Sequence, residues 1–173
     1  MGMDSFTYKF VFLLHLTAVV VGFGSAFVYP MLSSRARKLE PKEAYAVNHA
    51  AYGIGRYLTS YPIYAAIVFG ILLVVLSDQN FKFSQTWVSV AFVVVICAVL
   101  LNVFLHEPNL KAMDALQEKL ANGTVTPGKD GKPKEVTELQ ERGSRAGMYG
   151  GVLHLFFLIL MIDMIWKPGL ITF

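Results

Sequence analysis

Four long apolar runs, separated by three polar stretches, account for most of the 173 residues of this chain. The first run contains no Asp, Glu, Lys or Arg between Phe10 and Met31. About 20 apolar residues are enough for a helix to cross a bilayer, whereas an open strand cannot satisfy its backbone groups in lipid. The pattern therefore predicts an all-α fold, a four-helix transmembrane bundle, with helices at about residues 8–33, 42–77, 86–106 and 145–166.

Prolines and polar stretches set the predicted bends and ends of these helices. Pro30 is expected to kink or end the first helix and Pro62 to bend the second, because proline lacks a backbone donor and crowds the preceding turn. Residues 107–144 are predicted to form a long loop, in which Asn109 is expected to cap a short amphipathic helix. The last part of this loop has a helical pattern and is expected to run into the fourth helix. We expect residues 1–173 to form a single integral membrane domain.

Composition supports a membrane location, and the distribution of charge gives an orientation. Hydrophobic residues make up 55% of the chain and the mean hydropathy is +0.52, which is typical of membrane proteins. Most basic residues lie in the two polar stretches 34–44 and 107–144. Since basic loops stay in the cytoplasm, both termini are predicted to lie on the outer, periplasmic side of the bacterial inner membrane. The expected partner of this multi-pass protein is the lipid bilayer. We do not expect it to bind nucleic acid.

Two histidines inside the apolar runs are candidates for a buried site. His15 lies about two turns inside the first helix, where a titratable side chain is costly unless something faces it. It shares a helical face with Gly22 and Ala26, a small-residue pattern that suits close helix packing or a flat macrocycle. His154 follows a glycine-rich turn in the last helix, and histidine is a common axial ligand of haem iron. His15 and His154 are therefore the first choices as metal ligands of a haem b; the alternative is that both are hydrogen-bonded packing residues.

A second set of polar candidates lies on the second helix and at the end of the third. His49 and Arg56 share one face of the second helix, and His106 closes the third. Arg56 could neutralise a haem propionate or extend to the membrane interface. At about 1.5 Å per residue, His15 and His154 differ by about 10 Å in depth, which helix tilt can partly absorb. His49 and His106 have similar depths and form the reserve pair, so one haem, two haems and no haem all remain open.

Short motifs that together look familiar are spread over most of the chain. They are the spacing from Lys9 to His15, Gly22 with Gly24, the basic loop, Pro62 with Gly70, and the final Met164-Ile165-Trp166-Lys167-Pro168. This set resembles a family of small bacterial predicted integral membrane proteins of unknown function. That family is distantly similar to the copper-resistance D proteins and the J-type protoporphyrinogen oxidases, in which a first-helix histidine matters, for haem in the latter. The resemblance therefore implies a ligand role for His15.

The sequence leads to one main hypothesis and two alternatives. The main hypothesis is a b-type haem-binding membrane protein in electron transfer or haem handling. The first alternative is an accessory or structural subunit of a larger membrane complex, or a homo-oligomer, with no chemistry of its own. Copper or small-solute transport is less favoured, because methionine in an apolar helix ordinarily fills the core. Cys97 is the only cysteine, which excludes a cysteine metal cluster, and no nucleophile–base set indicates a particular enzyme reaction.

Overall fold

The computed structural model describes residues 2–78, 80–128 and 131–168 of the chain. Within these ranges, four helical stretches are long and apolar enough to cross a membrane. They are Phe6–Ala36, Pro41–Leu76, Thr86–Ala121 and Lys134–Trp166. The predicted all-α class with four transmembrane helices is confirmed, while the side of the membrane on which the termini lie stays a prediction.

The four stretches are built from α-helices joined by short turns and, at two places in the described ranges, by π-helical segments. The α-helices are α1 Phe6–Ala26, α2 Val28–Ala36, α3 Pro41–Gly55, α4 Tyr61–Leu76, α5 Thr86–Leu101, α6 Glu107–Ala121 and α7 Lys134–Trp166. The π-helical segments are Arg56–Ser60, between α3 and α4, and Asn102–His106, between α5 and α6.

Pro30 interrupts the first helical stretch, as its position predicts. α1 ends at Ala26, Phe27 forms a turn, and α2 begins at Val28. A regular helix would need a hydrogen bond from residue 30 to the carbonyl of Ala26, and proline has no N–H to donate. The helix therefore breaks one turn before Pro30 and resumes at Val28.

Both π-helical segments end directly before an X-Pro bond. Arg56–Ser60 is followed by Tyr61 and Pro62, and Asn102–His106 is followed by Glu107 and Pro108. In each case the residue before the proline donates its N–H to the carbonyl five residues back. The proline itself has no N–H to donate to the carbonyl four residues back. The turn that leads to the proline is therefore wider than an α-helical turn. The irregularity expected at Pro62 thus lies on its N-terminal side.

The carbonyl that Pro62 leaves without a helical donor belongs to Leu58. Ser25 of α1 supplies a donor: its Oγ lies 2.9 Å from the oxygen of Leu58 and 3.0 Å from that of Gly22 in its own helix, so its one hydrogen is shared between the two carbonyls. The same Oγ lies 2.6 Å from the hydroxyl oxygen of Thr59, which can donate to it in turn. An unpaired backbone carbonyl is costly in an apolar environment, so this contact stabilises the irregular segment against α1.

Two predicted helix boundaries differ from the structure. The third helix does not end at residue 106 but continues to Ala121, and the fourth begins at Lys134 rather than at 145. Residues 107–144 are therefore mostly helical, which confirms the amphipathic helix and the helical run into the fourth helix that were expected within them. The reason is physical: a change from apolar to polar sequence marks where a helix leaves lipid, not where it ends. At 36 residues, the third stretch measures about 54 Å, well beyond a hydrocarbon core of about 30 Å.

The described backbone forms two compact units. The first unit comprises Met1–Ala26, Gly55–Ala98 and Leu155–Phe173, and the second comprises Phe27–Ile54 and Val99–His154. In the first unit, α1 packs closely against α4, and a Cβ placed on Gly22 would lie 2.9 Å from Cγ1 of Ile63. Only a residue without a side chain fits there, which explains one of the small residues noted in the first helix. That the whole chain is one domain stays a prediction.

In the second unit, a buried amide joins α6 to α7. Asn109 is 6% exposed, and its Nδ2 donates to the carbonyl oxygen of Arg142 at 2.9 Å. Asn109 is the third residue of α6 and not its cap, so the predicted capping role was wrong. Because the helix is already continuous before Asn109, its side chain is free to bond across to α7. The buried apolar residues of this unit are Ala36, Ala51, Leu116 and Ala121.

Candidate functional site

His154 in α7 has one bonded ring nitrogen and one that is buried without a partner. Its Nδ1 lies 2.7 Å from the carbonyl oxygen of Gly150, one turn earlier, so Nδ1 carries the hydrogen and donates it. Its Nε2 is buried and has no hydrogen-bond partner among the described residues. In this tautomer Nε2 holds the lone pair. A metal-binding imidazole has the same arrangement when a backbone carbonyl orients its other nitrogen.

The ring of Phe27 covers part of the His154 imidazole. The two ring centroids are 4.8 Å apart and the planes are tilted by 59°. Phe27 is the residue at which the first helical stretch turns before Pro30, so the break in that stretch places an aromatic ring beside the histidine. This contact places an apolar ring against one side of the imidazole.

His106 is the second histidine of this unit with an unpartnered nitrogen. It is the last residue of the π-helical segment Asn102–His106, and its Nδ1 is buried with no hydrogen bond to any part of the chain that the structure describes. Its ring meets Tyr149 of α7 edge-on, with centroids 6.4 Å apart. π-Helical turns occur often at functional sites, because the extra residue presents a side chain that an α-helix would turn away.

His106 packs through its ring against Tyr149, on the part of α7 that precedes His154. Tyr149, which contacts His106, precedes His154 by five residues on α7, a rise of about 7.5 Å. Three glycines lie in the part of α7 that precedes His154. No described atom lies within 4 Å of the position that a Cβ would take at Gly147, Gly150 and Gly151. The second unit therefore combines two imidazoles that have free nitrogens with an open, flat helix face.

His15 has a different environment in the first unit. Its Nδ1 lies 2.8 Å from the carbonyl oxygen of Ala66 in α4, and the residue is 8% exposed. A Cβ on Gly70 would lie 3.2 Å from Cε1 of His15. The histidine therefore fills a space left by Gly70 and bonds α1 to α4 through the backbone. His15 and Gly70, which both belong to the motifs noted in the sequence, are thus in contact.

His49 is engaged by a carboxylate. Its Nδ1 lies 3.0 Å from both carboxylate oxygens of Asp114 in α6, and its ring packs 5.1 Å from that of Tyr45. The His49 side chain is 57% exposed. Nearby on the same pair of helices, the hydroxyl of Tyr52 donates to Glu107 at 3.0 Å. These contacts hold α3 to α6, and an exposed, carboxylate-bonded imidazole is a weaker ligand candidate than a buried one with a free nitrogen.

The structure sorts the five predicted site residues into two sets. His49, His106 and His154 belong to the second unit, whereas His15 and Arg56 belong to the first. Arg56 is exposed and opens the first π-helical segment. The predicted pairs His15–His154 and His49–His106 stay predictions; within the second unit, His106 contacts Tyr149, five residues before His154 on α7. In the described ranges, no group of three or more His, Cys, Asp or Glu side chains is arranged to hold a metal ion.

Sequence reasoning did not identify Tyr149 or Asp114 as partners of the polar residues, and it considered Glu107 as a partner of Arg56 rather than of Tyr52. A signal was present for the two acids. Glu107 and Asp114 are seven residues apart on one helical face, and Tyr52 and His49 are three apart on another. Had the third helix been extended past residue 106, these two faces would have been candidates for pairing. No comparable pattern marks Tyr149.

Comparison with known proteins supplies a family. The model of a family described as "Predicted integral membrane protein (DUF2269)" matches residues 9–168. No curated protein and no solved structure matches the chain. The matched region includes all four histidines and Arg56, so each candidate site residue lies in the part of the chain that the family model covers.

Proposed function

Since this chain belongs to DUF2269, a family of predicted integral membrane proteins, we propose that it is a b-type haem protein in which histidines of the second unit hold the iron. Membership confirms the family likeness noted in the sequence. The proposal extends it to a role in electron transfer or haem handling, in the bacterial inner membrane. The similarity to copper-resistance D proteins stays a prediction.

The observation that carries this proposal is the free, buried Nε2 of His154. Burying a nitrogen lone pair without a partner is unfavourable, so such an atom is expected to meet a ligand. Its Nδ1–H is already fixed by the Gly150 carbonyl at 2.7 Å, which sets the tautomer that binds iron. His154 is thus the primary ligand in our proposal, and His106, with its own unpartnered Nδ1, is the second.

The surrounding residues fit a flat macrocycle. The three glycines before His154 leave the helix surface without side chains, so a planar group could lie against the backbone there. Phe27 and Tyr149 supply aromatic surface beside the two histidines. When bound, a haem supplies one-electron chemistry, and its potential depends on its axial ligands and on its burial. The chain itself holds the imidazoles and sets the tautomer of His154.

The proposal is tested by absorbance spectra of the full chain, made with ample haem and purified in mild detergent. We expect a Soret band, and a reduced α band after dithionite. His154→Ala should lose both bands, because it removes the primary ligand. His106→Ala should keep the haem but convert its spectrum from the six-coordinate to the five-coordinate type. His49→Ala is the matched control, since its Nδ1 is bonded to Asp114, and it should leave the spectrum unchanged.

A wild-type protein without a Soret band would contradict the proposal. It would favour the alternative of an accessory subunit, which should co-purify with larger subunits at a fixed ratio. A spectrum that changes in His15→Ala but not in His106→Ala would instead assign the second ligand to His15, as the sequence resemblance implies.

A further inference from the structure

Asp163 is a buried acid in the apolar part of α7, three residues before Trp166. The residue is 6% exposed, and its Oδ2 is buried with no hydrogen-bond partner among the residues that the structure describes. A carboxylate in this position would carry an uncompensated charge inside an apolar segment, which is strongly unfavourable. The neutral acid avoids that charge.

The basic residue best placed to neutralise Asp163 is Lys167, one turn later, but its ammonium lies elsewhere. The backbone N–H of Lys167 donates to the carbonyl oxygen of Asp163 at 2.8 Å. Lys167 then leaves the helix with a φ of 43°, and its Nζ lies 4.8 Å from the ring centroid of Phe81 and 5.6 Å from that of Trp87. The rings attract the cation through their π faces, so the ion pair that an i, i+4 spacing allows is not formed.

The other charged groups of this unit do not compensate Asp163 either. Residues of α1 contact α4 in antiparallel order, so the start of α1 and the turn after α4 lie at the same end of the unit. Lys9 is paired with Asp4 at 3.7 Å, and His15 is bonded to Ala66. The titratable and charged side chains on the elements at this end are Tyr8, Lys9, His15, Asp78, Lys82 and Lys167. In the described part of the unit, none of them forms an ion pair or hydrogen bond with the Asp163 carboxyl.

We propose that Asp163 is a proton-binding site of the fourth transmembrane helix. Its carboxyl is protonated at neutral pH and exchanges its proton with water at the adjacent helix end, where α7 terminates at Trp166. When the proton leaves, Lys167 is the cation that can move from Phe81 and Trp87 to pair with the carboxylate. The site lets the helix hold one proton without placing a net charge in lipid. It is independent of the haem proposal, because it uses none of the same residues.

The test is labelling of the full chain in mild detergent at neutral pH with dicyclohexylcarbodiimide, a hydrophobic reagent that reacts with protonated carboxyls in apolar surroundings. Peptide mapping by mass spectrometry should find the adduct on Asp163. Asp163→Asn should lose it. The matched control is Asp4→Asn, which removes a fully exposed carboxyl with a side-chain exposure of 106% and should leave the labelling of Asp163 unchanged.

Infrared spectroscopy gives a second readout that needs no reagent. The wild-type protein should show the carbonyl band of a protonated carboxylic acid, shifted by exchange into heavy water, and Asp163→Asn should lose it while Asp163→Glu restores it. If Asp163→Asn does not fold, peptide mapping of the wild-type protein still decides. An Asp163 peptide that stays unmodified, or that reacts only with a water-soluble carbodiimide, overturns the proposal.

Discussion

Replacing Gly22 by alanine probes the close packing of α1 against α4 in the first unit. A Cβ at this position would lie 2.9 Å from Cγ1 of Ile63, 3.3 Å from its backbone nitrogen and 3.4 Å from Cβ of Pro62. Carbon atoms prefer separations of about 3.5–4.0 Å, so α1 and α4 would have to move apart. Overpacking of this kind typically costs about 1–3 kcal/mol.

Gly24 provides the matched control on the same helix. No described atom lies within 4 Å of its Cβ position, so Gly24→Ala adds a methyl group in open space. Both substitutions gain up to about 1 kcal/mol of helix propensity, because alanine restricts the unfolded backbone more than glycine does. That gain cancels in the comparison. We therefore expect Gly22→Ala to be about 1–3 kcal/mol less stable than Gly24→Ala.

The measurement is the free energy of unfolding of both variants in mixed detergent micelles, with unfolding monitored by far-ultraviolet circular dichroism. The difference between the variants, rather than either value alone, reports the packing of α1 against α4. Equal stabilities for the two variants would refute the reasoning, because they would show that the backbones at Gly22 and Ile63 do not approach as the structure describes.

Two further predictions concern a hydrogen bond and the orientation of the chain. Ser25→Ala should lower the free energy of unfolding by about 0.5–1.5 kcal/mol, because it removes the donor to the Leu58 carbonyl. Ser34→Ala, whose hydroxyl bonds only within its own helix, is the control and should change little. For orientation, a membrane-impermeant thiol reagent is added to spheroplasts, whose inner membrane faces the medium. It should label Asp4→Cys but not Leu39→Cys, each in a Cys97→Ser background. The reverse pattern would place the basic loops outside the cytoplasm.

The transmembrane helices could be predicted from the sequence because lipid imposes a composition on whatever crosses it. The absence of charge from Phe10 to Met31 is such a signal, and it does not depend on any tertiary contact. The helical patterns within residues 107–144 predicted α6 and the early start of α7, but the continuity of α5 with α6 could not be predicted in the same way. Beyond the lipid, a helix can be polar on all sides, and Asn109 resembles a cap only if the helix is assumed to end at residue 106.

The candidate site was predictable in its residue types but not in its pairing. A histidine inside an apolar run is costly, and that argument identified both His15 and His154. Which nitrogen is free depends on a neighbouring carbonyl: Ala66 for His15 and Gly150 for His154. For His154, the donor and acceptor are four residues apart, so the helix alone determines the bond. For His15, the acceptor is 51 residues away and depends on the packing of α1 on α4.

The same local device serves the two units in different ways. Each π-helical segment adds one residue to a turn before an X-Pro bond, and one residue corresponds to about 100° of rotation around a helix. Before Pro62, the rearranged turn leaves the Leu58 carbonyl to be bonded by Ser25, so the segment contributes to helix packing. Before Pro108, it places His106 against Tyr149 with a free nitrogen, so the segment contributes to a candidate site. An X-Pro bond inside an otherwise regular apolar run therefore marks where side chains depart from the register of the helix. The residues just before such a bond are candidate ligands.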